Sequence, residues 1–111
     1  TRMRATVKVR LTNRKPFFGP GMVTLLREIE SLGSVREASE KTGISYSKAW
    51  SMIRDAEKES GQTLVERQPG GKFGGAANES KAGKEMLEKY EQLEQAVESY
   101  TTKKYQEIFQ N

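Results

Sequence analysis

Residues 36–53, REASEKTGISYSKAWSMI, contain two helical patterns separated only by Thr42-Gly43-Ile44-Ser45. A break this short leaves few folds open, because helices joined by a tight turn with glycine must cross sharply instead of running on as one rod. Ser34, with Glu37 three residues later, reads as a capping box that starts the first of the two. Val35 and Ala38 face inward, and Ala38 and Ser39 are small where the two helices cross. Gly43 can take the left-handed conformation that a sharp helix end needs, and Ile44 plugs the space beneath the turn. Ser45 is the next N-cap, and Ala49, Met52, Ile53 and Ala56 give the following helix its buried stripe.

The flanking segments narrow the choice further. ATVKVRLT, residues 5–12, alternates strictly, with Ala5, Val7, Val9 and Leu11 on one face, and predicts a half-buried strand. NRKPFFGPG follows as a loop that drops Phe17 and Phe18 onto the core. Met22, Leu25, Leu26, Ile29 and Leu32 form one stripe of a helix ended by Gly33, the most apolar helix of the chain. After the crossing pair, LVERQ and AANE read as two short strands around PGGKFGG, a hairpin with a basic tip at Lys72. Ser80 then caps a last helix in which Met86, Tyr90, Leu93, Val97 and Tyr100 follow alternating spacings of four and three, a coiled-coil-like seam. Continued through Ile108 and Phe109 it would be about 30 residues long, far above the usual helix length. A helix that long has little of its own domain to bury it, so a second copy of the chain is its expected partner; the alternative is that it folds back on the first helix.

An apolar helix, two helices across a glycine turn and a two-stranded hairpin come in the order of a winged helix-turn-helix. The expected fold is therefore α+β and mostly helical, with an N-terminal strand, a two-stranded wing and a long C-terminal helix. At 111 residues the chain suits one domain. Within it, residues 1–79 are expected to form the winged-helix part and residues 80–111 the dimerisation helix.

What the third helix leaves outside bears on function. Ser47, Ser51 and Arg54 are spaced i, i+4, i+7, flanked by Tyr46, Lys48 and Asp55, while Trp50 is assigned to the opposite side, in the core. Hydroxyls and cations near a helix N-terminus suit a major-groove reader: hydrogen-bond partners for base edges and charge for phosphates. Charge distribution agrees. The net charge is only +4, but residues 1–21 carry six Lys/Arg (Arg2, Arg4, Lys8, Arg10, Arg14, Lys15) and no acid, whereas residues 85–111 carry three bases against six acids. A polyanion would meet one end of such a molecule if the fold gathers those segments.

With no cysteine and no histidine, the chain has no disulfide framework, no thiolate nucleophile, none of the usual zinc ligands and no imidazole base. No enzyme activity, cofactor or metal is expected. GGKFGG lacks the form of a phosphate-binding P-loop and falls inside a hairpin instead of between strand and helix. No apolar run approaches the roughly 18 residues of a membrane span, so a soluble cytoplasmic protein is expected.

GSVREASEKTGISYSKAWSMI, followed after a short gap by LVERQPGGKFGGAANESKAGKEML, resembles the N-terminal DNA-binding domain of ModE-type molybdate-responsive transcription regulators. More distantly it is similar to the helix-turn-helix of LysR-type regulators, and the leading KPFFGPGMVTLLREIESLGS extends the resemblance over nearly the whole chain. The resemblance implies a winged-helix homodimer paired through its long helix. It also implies that Tyr46, Ser47, Lys48 and Ser51 enter the major groove, that the wing with Lys72 lies along the backbone, and that Arg67 at the wing base contacts phosphate. Full-length members append a C-terminal oxyanion-binding domain, for which this chain has no room, so molybdate binding is not expected of it. The family has an apolar residue before the Ser/Thr that caps the last helix; here Glu79 stands there.

Two function classes follow. One is a homodimeric regulator that binds double-stranded DNA in a sequence-specific way, using Tyr46, Ser47, Lys48, Ser51, Arg54, Arg67 and Lys72, with Met86, Tyr90, Leu93, Val97 and Tyr100 pairing the subunits. The other is a protein-interaction module of the same fold that does not read DNA; the acidic last helix is its support.

Overall fold

Helix α1 (Pro20–Leu32) begins with a proline at its first position, where the missing N–H is one the helix would leave unpaired anyway. Its stripe Met22, Leu25, Leu26 and Ile29 is buried, and only Leu32 at the end reaches solvent. The computed structural model describes residues 3–68 and 76–110, so Lys72 and the rest of the glycine loop lie outside the described residues.

The crossing helices form as their caps require. Ser34 Oγ accepts the Glu37 N–H at 3.2 Å at the head of α2 (Val35–Thr42). Gly43 ends that helix at φ 81° and ψ 20°, and the Gly43 and Ile44 N–H groups both return to the Ser39 carbonyl, at 3.0 and 3.1 Å. A side chain with a Cβ adopts that backbone only at a cost, which is why glycine marks the turn. Ser45 then caps α3 (Tyr46–Ser60) by accepting the Lys48 N–H at 3.0 Å. Ala49, Ile53 and Ala56 are buried at spacings of four and three, seating α3 against α1 and α2. Leu25, Leu26, Ile29 and Ile53 have no exposure at all. Each contributes about 1.5–3 kcal/mol by leaving water.

The wing is an antiparallel pair, β3 (Val65–Gln68) and β4 (Ala76–Glu79), in register from Val65 opposite Glu79 to Gln68 opposite Ala76. Two carboxylates set where it stands. Glu57 on α3 accepts the N–H groups of Leu64 and Val65 at 2.8 and 3.2 Å, and Glu30 on α1 accepts the Glu79 N–H at 3.1 Å. The returning strand is therefore regular through Glu79, whose side chain is buried. Burial, and then the neighbouring Glu30 charge, raise the Glu79 carboxyl above its ordinary value.

The N-terminal strand is much shorter than its alternation predicts. Only Leu11–Thr12 is paired, as β1, to β2 (Pro16–Phe18) across an irregular register. Residues 3–10 have no regular structure, and Ala5 and Val7 are exposed. Alternation supplies an amphipathic edge, but a strand also needs a neighbour for its N–H and C=O groups, and among the described residues only β2 provides one.

Helix α4 (Lys81–Phe109) runs 29 residues. Ser80 caps it, accepting the Gly83 N–H at 2.9 Å while donating to the Thr63 carbonyl at 2.5 Å. Its first turns are pressed onto the wing: a Cβ at Gly83 would stand 2.4 Å from the Leu64 carbonyl oxygen. Leu87 and Tyr90 are buried beyond it. The Tyr90 ring packs on Phe18 with centroids 5.3 Å apart, and its hydroxyl donates to the Val9 carbonyl at 2.8 Å. Tyr90 thus belongs to the chain's own core and is withdrawn from the seam that the sequence assigned to a second copy; Met86 packs against the same core. From Leu93 onward no residue of the helix is buried, and its projection gives the molecule a longest dimension of 60 Å. Among the described residues no helix is long and apolar enough to cross a membrane.

Candidate nucleic-acid interface

With Ala49, Ile53 and Ala56 turned inward, the helical period carries Ser47, Lys48, Ser51 and Arg54 outward, and all four are exposed. Ser47 Oγ lies 3.4 Å from the capping Ser45 Oγ. Tyr46, in the first turn, is 37% exposed. Among the described residues no carboxylate pairs with Lys48, Arg54 or Arg67. Their charge is therefore not neutralised locally, which is the condition for attracting a polyanion.

The cations of the opening segment divide into two sets. Arg14 is tied to Glu59, whose carboxylate accepts the Arg14 N–H at 2.9 Å and its guanidinium at 3.2 Å; Asn13 Nδ2 donates to the Glu59 carbonyl at 3.0 Å. The Arg14 interactions, first the bond from its N–H, hold the Glu59 carboxyl below its ordinary value against the opposing effect of burial. Lys15 pairs with Asp55 at 3.2 Å. Both cations fasten the opening segment to α3, and each has a carboxylate beside it that offsets its charge. Arg10, by contrast, lines a hollow of about 290 Å³ together with Lys48, Met22, Met52 and the Asp55 carboxylate. The opening segment thus brings a cation beside the exposed face of α3.

On the other side of α3 the structure corrects one assignment. Trp50 is half-buried against the core, but it is not turned away from the exposed face of α3. It lies on the same side as Tyr46, one turn earlier, with ring centroids 6.5 Å apart at 84°. The Arg67 guanidinium sits over the Trp50 ring at 4.1 Å, and the Arg36 guanidinium over the Tyr46 ring at 4.2 Å. The sequence reading missed Arg36 and Trp50 in this role. The i, i+4 spacing of Tyr46 and Trp50 was the available signal; the contribution of Arg36 from another helix had none. Tyr46, Ser47, Lys48, Ser51, Arg54 and Arg67 thus lie on or beside one helix, whereas Lys72 is outside the described residues.

An exposed helix set behind a glycine turn, flanked by a two-stranded wing and by unpaired cations, is the arrangement of winged helix-turn-helix proteins. Comparison with known proteins agrees. Residues 21–79 match the bacterial regulatory helix-turn-helix proteins of the lysR family, and the chain belongs to that family. It is similar to the transcriptional regulator ModE of Yersinia pestis, 38% identical over 77 residues that cover 69% of this chain and 29% of that protein. The DNA-binding transcriptional dual regulator ModE of Escherichia coli K12 is 37% identical over 82 residues, covering 74% of this chain and 31% of its own length. The molybdenum-pterin-binding protein MopA of Rhodobacter capsulatus is 33% identical over 82 residues, with the same coverage. The chain therefore spans less than a third of the length of these relatives.

Proposed function

We propose that the chain is a DNA-binding transcription-regulator unit that acts as a homodimer and reads duplex DNA in a sequence-specific way. The observation that carries this reading is the outer face of α3: Ser47, Lys48, Ser51 and Arg54 exposed together, with Arg67 on one side and Arg10 on the other. In this reading α3 enters the major groove, Ser47 and Ser51 hydrogen-bond base edges, and Lys48 and Arg54 meet phosphates or guanine. The wing follows the backbone, where Lys72 is assigned a phosphate.

The outer half of α4 supports the dimer reading. Leu93, Tyr100, Ile108 and Phe109 are 44–71% exposed on a helix that projects from the body, with Val97 partly exposed between them. A second copy would cover that apolar face and present two α3 helices to half-sites about 34 Å apart. The seam so proposed is Leu93, Val97 and Tyr100, without Tyr90.

The test is a gel shift on random genomic duplex fragments at rising salt. A shift whose affinity falls steeply with salt is expected, followed by enrichment of a two-fold symmetric site. Binding that is absent at every salt concentration would leave the interaction-module reading in its place.

A further inference from the structure

Arg36, Tyr46, Trp50 and Arg67 come from α2, α3 and β3 and form one continuous cation, ring, ring, cation ladder beside the reading face. We infer that Tyr46 and Trp50 are positioning residues: their rings hold the Arg36 and Arg67 guanidinium groups ready to clamp DNA phosphates on the wing side of α3. The inference rests on the DNA-binding reading above and adds Arg36 to its contacts.

The geometry carries it. A guanidinium whose Cζ stands about 4 Å over a ring centroid meets the ring's negative face and still has N–H donors to offer a bidentate acceptor such as phosphate. Both arginines lie near 4 Å from their ring centroids, and among the described residues neither has a carboxylate partner. An arginine held in place this way has already lost most of the rotamer freedom that a phosphate contact would otherwise remove. Arg36 is also the second residue of α2, where a cation works against the helix dipole, so its own helix does not account for it.

Trp50 shows the same priority. Its Nε1–H is buried and has no acceptor among the described residues. A tryptophan chosen for packing alone would be expected to aim that donor at an acceptor. The indole is instead set with a face beneath Arg67.

The experiment combines binding with a DNA-free reading. Arg67→Ala and Arg36→Ala should each weaken duplex binding about tenfold and lower the salt slope by about 0.9. Arg67→Lys keeps the charge on an exposed residue and is not expected to disturb folding, but it loses the planar stack, so it should recover less than half of that loss on a logarithmic scale. Trp50→Leu should weaken binding with all phosphate-binding charges still present, and should add less than twofold in the Arg67→Ala background; Trp50→Phe, which keeps a ring, should fall between. Without DNA, emission from Trp50, the one tryptophan, should change in Arg67→Ala, reporting the stack itself.

Full rescue by Arg67→Lys, a Trp50→Leu loss that persists undiminished beside Arg67→Ala, or emission insensitive to Arg67 would each overturn the ladder while leaving DNA binding standing. A wild-type protein that shifts no duplex would overturn both readings.

Discussion

Helices α3 and α4 are both amphipathic, yet they leave opposite kinds of surface outside. Along α3 the inward stripe of Ala49, Ile53 and Ala56 is fully buried, and what remains outside is mainly hydroxyl and cation, with the Tyr46 ring and the half-exposed Asp55 carboxylate at its margins. In α4 burial stops at Tyr90, and the outer half leaves Leu93, Tyr100, Ile108 and Phe109 in solvent. A polar face beside unpaired cations suits a polyanion, whereas an apolar face on a projecting helix suits another protein. The contrast teaches that a helix is read functionally from what its packing leaves over.

The largest expected effect tests where α4 is anchored. Gly83→Ala would force a Cβ into the Leu64 carbonyl, with backbone on both sides and no flexible chain to yield. It should cost about 3 kcal/mol or more in urea unfolding; a loss below about 1 kcal/mol would mean that α4 sits more loosely on the wing than described.

Next comes the outer half of the same helix. Leu93→Asp with Tyr100→Asp should weaken self-association by about 100-fold, roughly 2.7 kcal/mol, in sedimentation equilibrium. Both residues are exposed, so the folded monomer should persist. Unchanged association would remove the apolar face of α4 from the dimer.

On α3 the effects are smaller and of a different kind. Arg54→Ala should weaken duplex binding about tenfold and flatten its salt dependence. Ser51→Ala should change bulk affinity by less than about threefold while altering which sites are enriched. A Ser51→Ala protein that selects the same sites would show that the hydroxyl does not read bases.

The smallest effect is a pH dependence of stability with two opposing parts. Glu59, lowered by its bonds to Arg14, stabilises the fold when charged, and that contribution is lost as pH falls from the ordinary 4.5 through its lowered value. Glu79, raised by burial and by Glu30, is held more tightly protonated in the fold, so stability declines as pH rises from 4.5 through its raised value. Thermal melts should show Glu59→Gln flattening the acid side and Glu79→Gln removing the decline above it. A swap of those two behaviours would contradict the contacts described.

Much of this was legible in the chain because it is local chemistry. Ser34, Ser45 and Ser80 each cap the helix that their sequence position announces, and Gly43 makes the turn through its own backbone freedom. The outer face of α3 was legible for the same reason, since the helical period alone separates Ala49 and Ile53 from Ser47, Ser51 and Arg54. The seam of α4 was legible only in part. Spacing puts Met86, Tyr90, Leu93, Val97 and Tyr100 on one stripe but does not say how far along it the body extends; that end falls after Tyr90, where Phe18 and Val9 stop.

The sequence by itself determined the order of elements, their caps, the glycine turn and the polar outer side of α3, because these depend on residues within a turn or two of one another. Tertiary structure alone decided which cations remain free and which are fastened. Arg14 and Lys15 find Glu59 and Asp55 on α3, whereas Arg36 and Arg67 find rings, and no spacing in the chain distinguishes the two fates. It also decided that the opening strand is mostly unpaired and that Gly83 must lack a side chain. Such outcomes depend on what a distant segment places within a few ångströms, and periodicity along one segment carries no information about another.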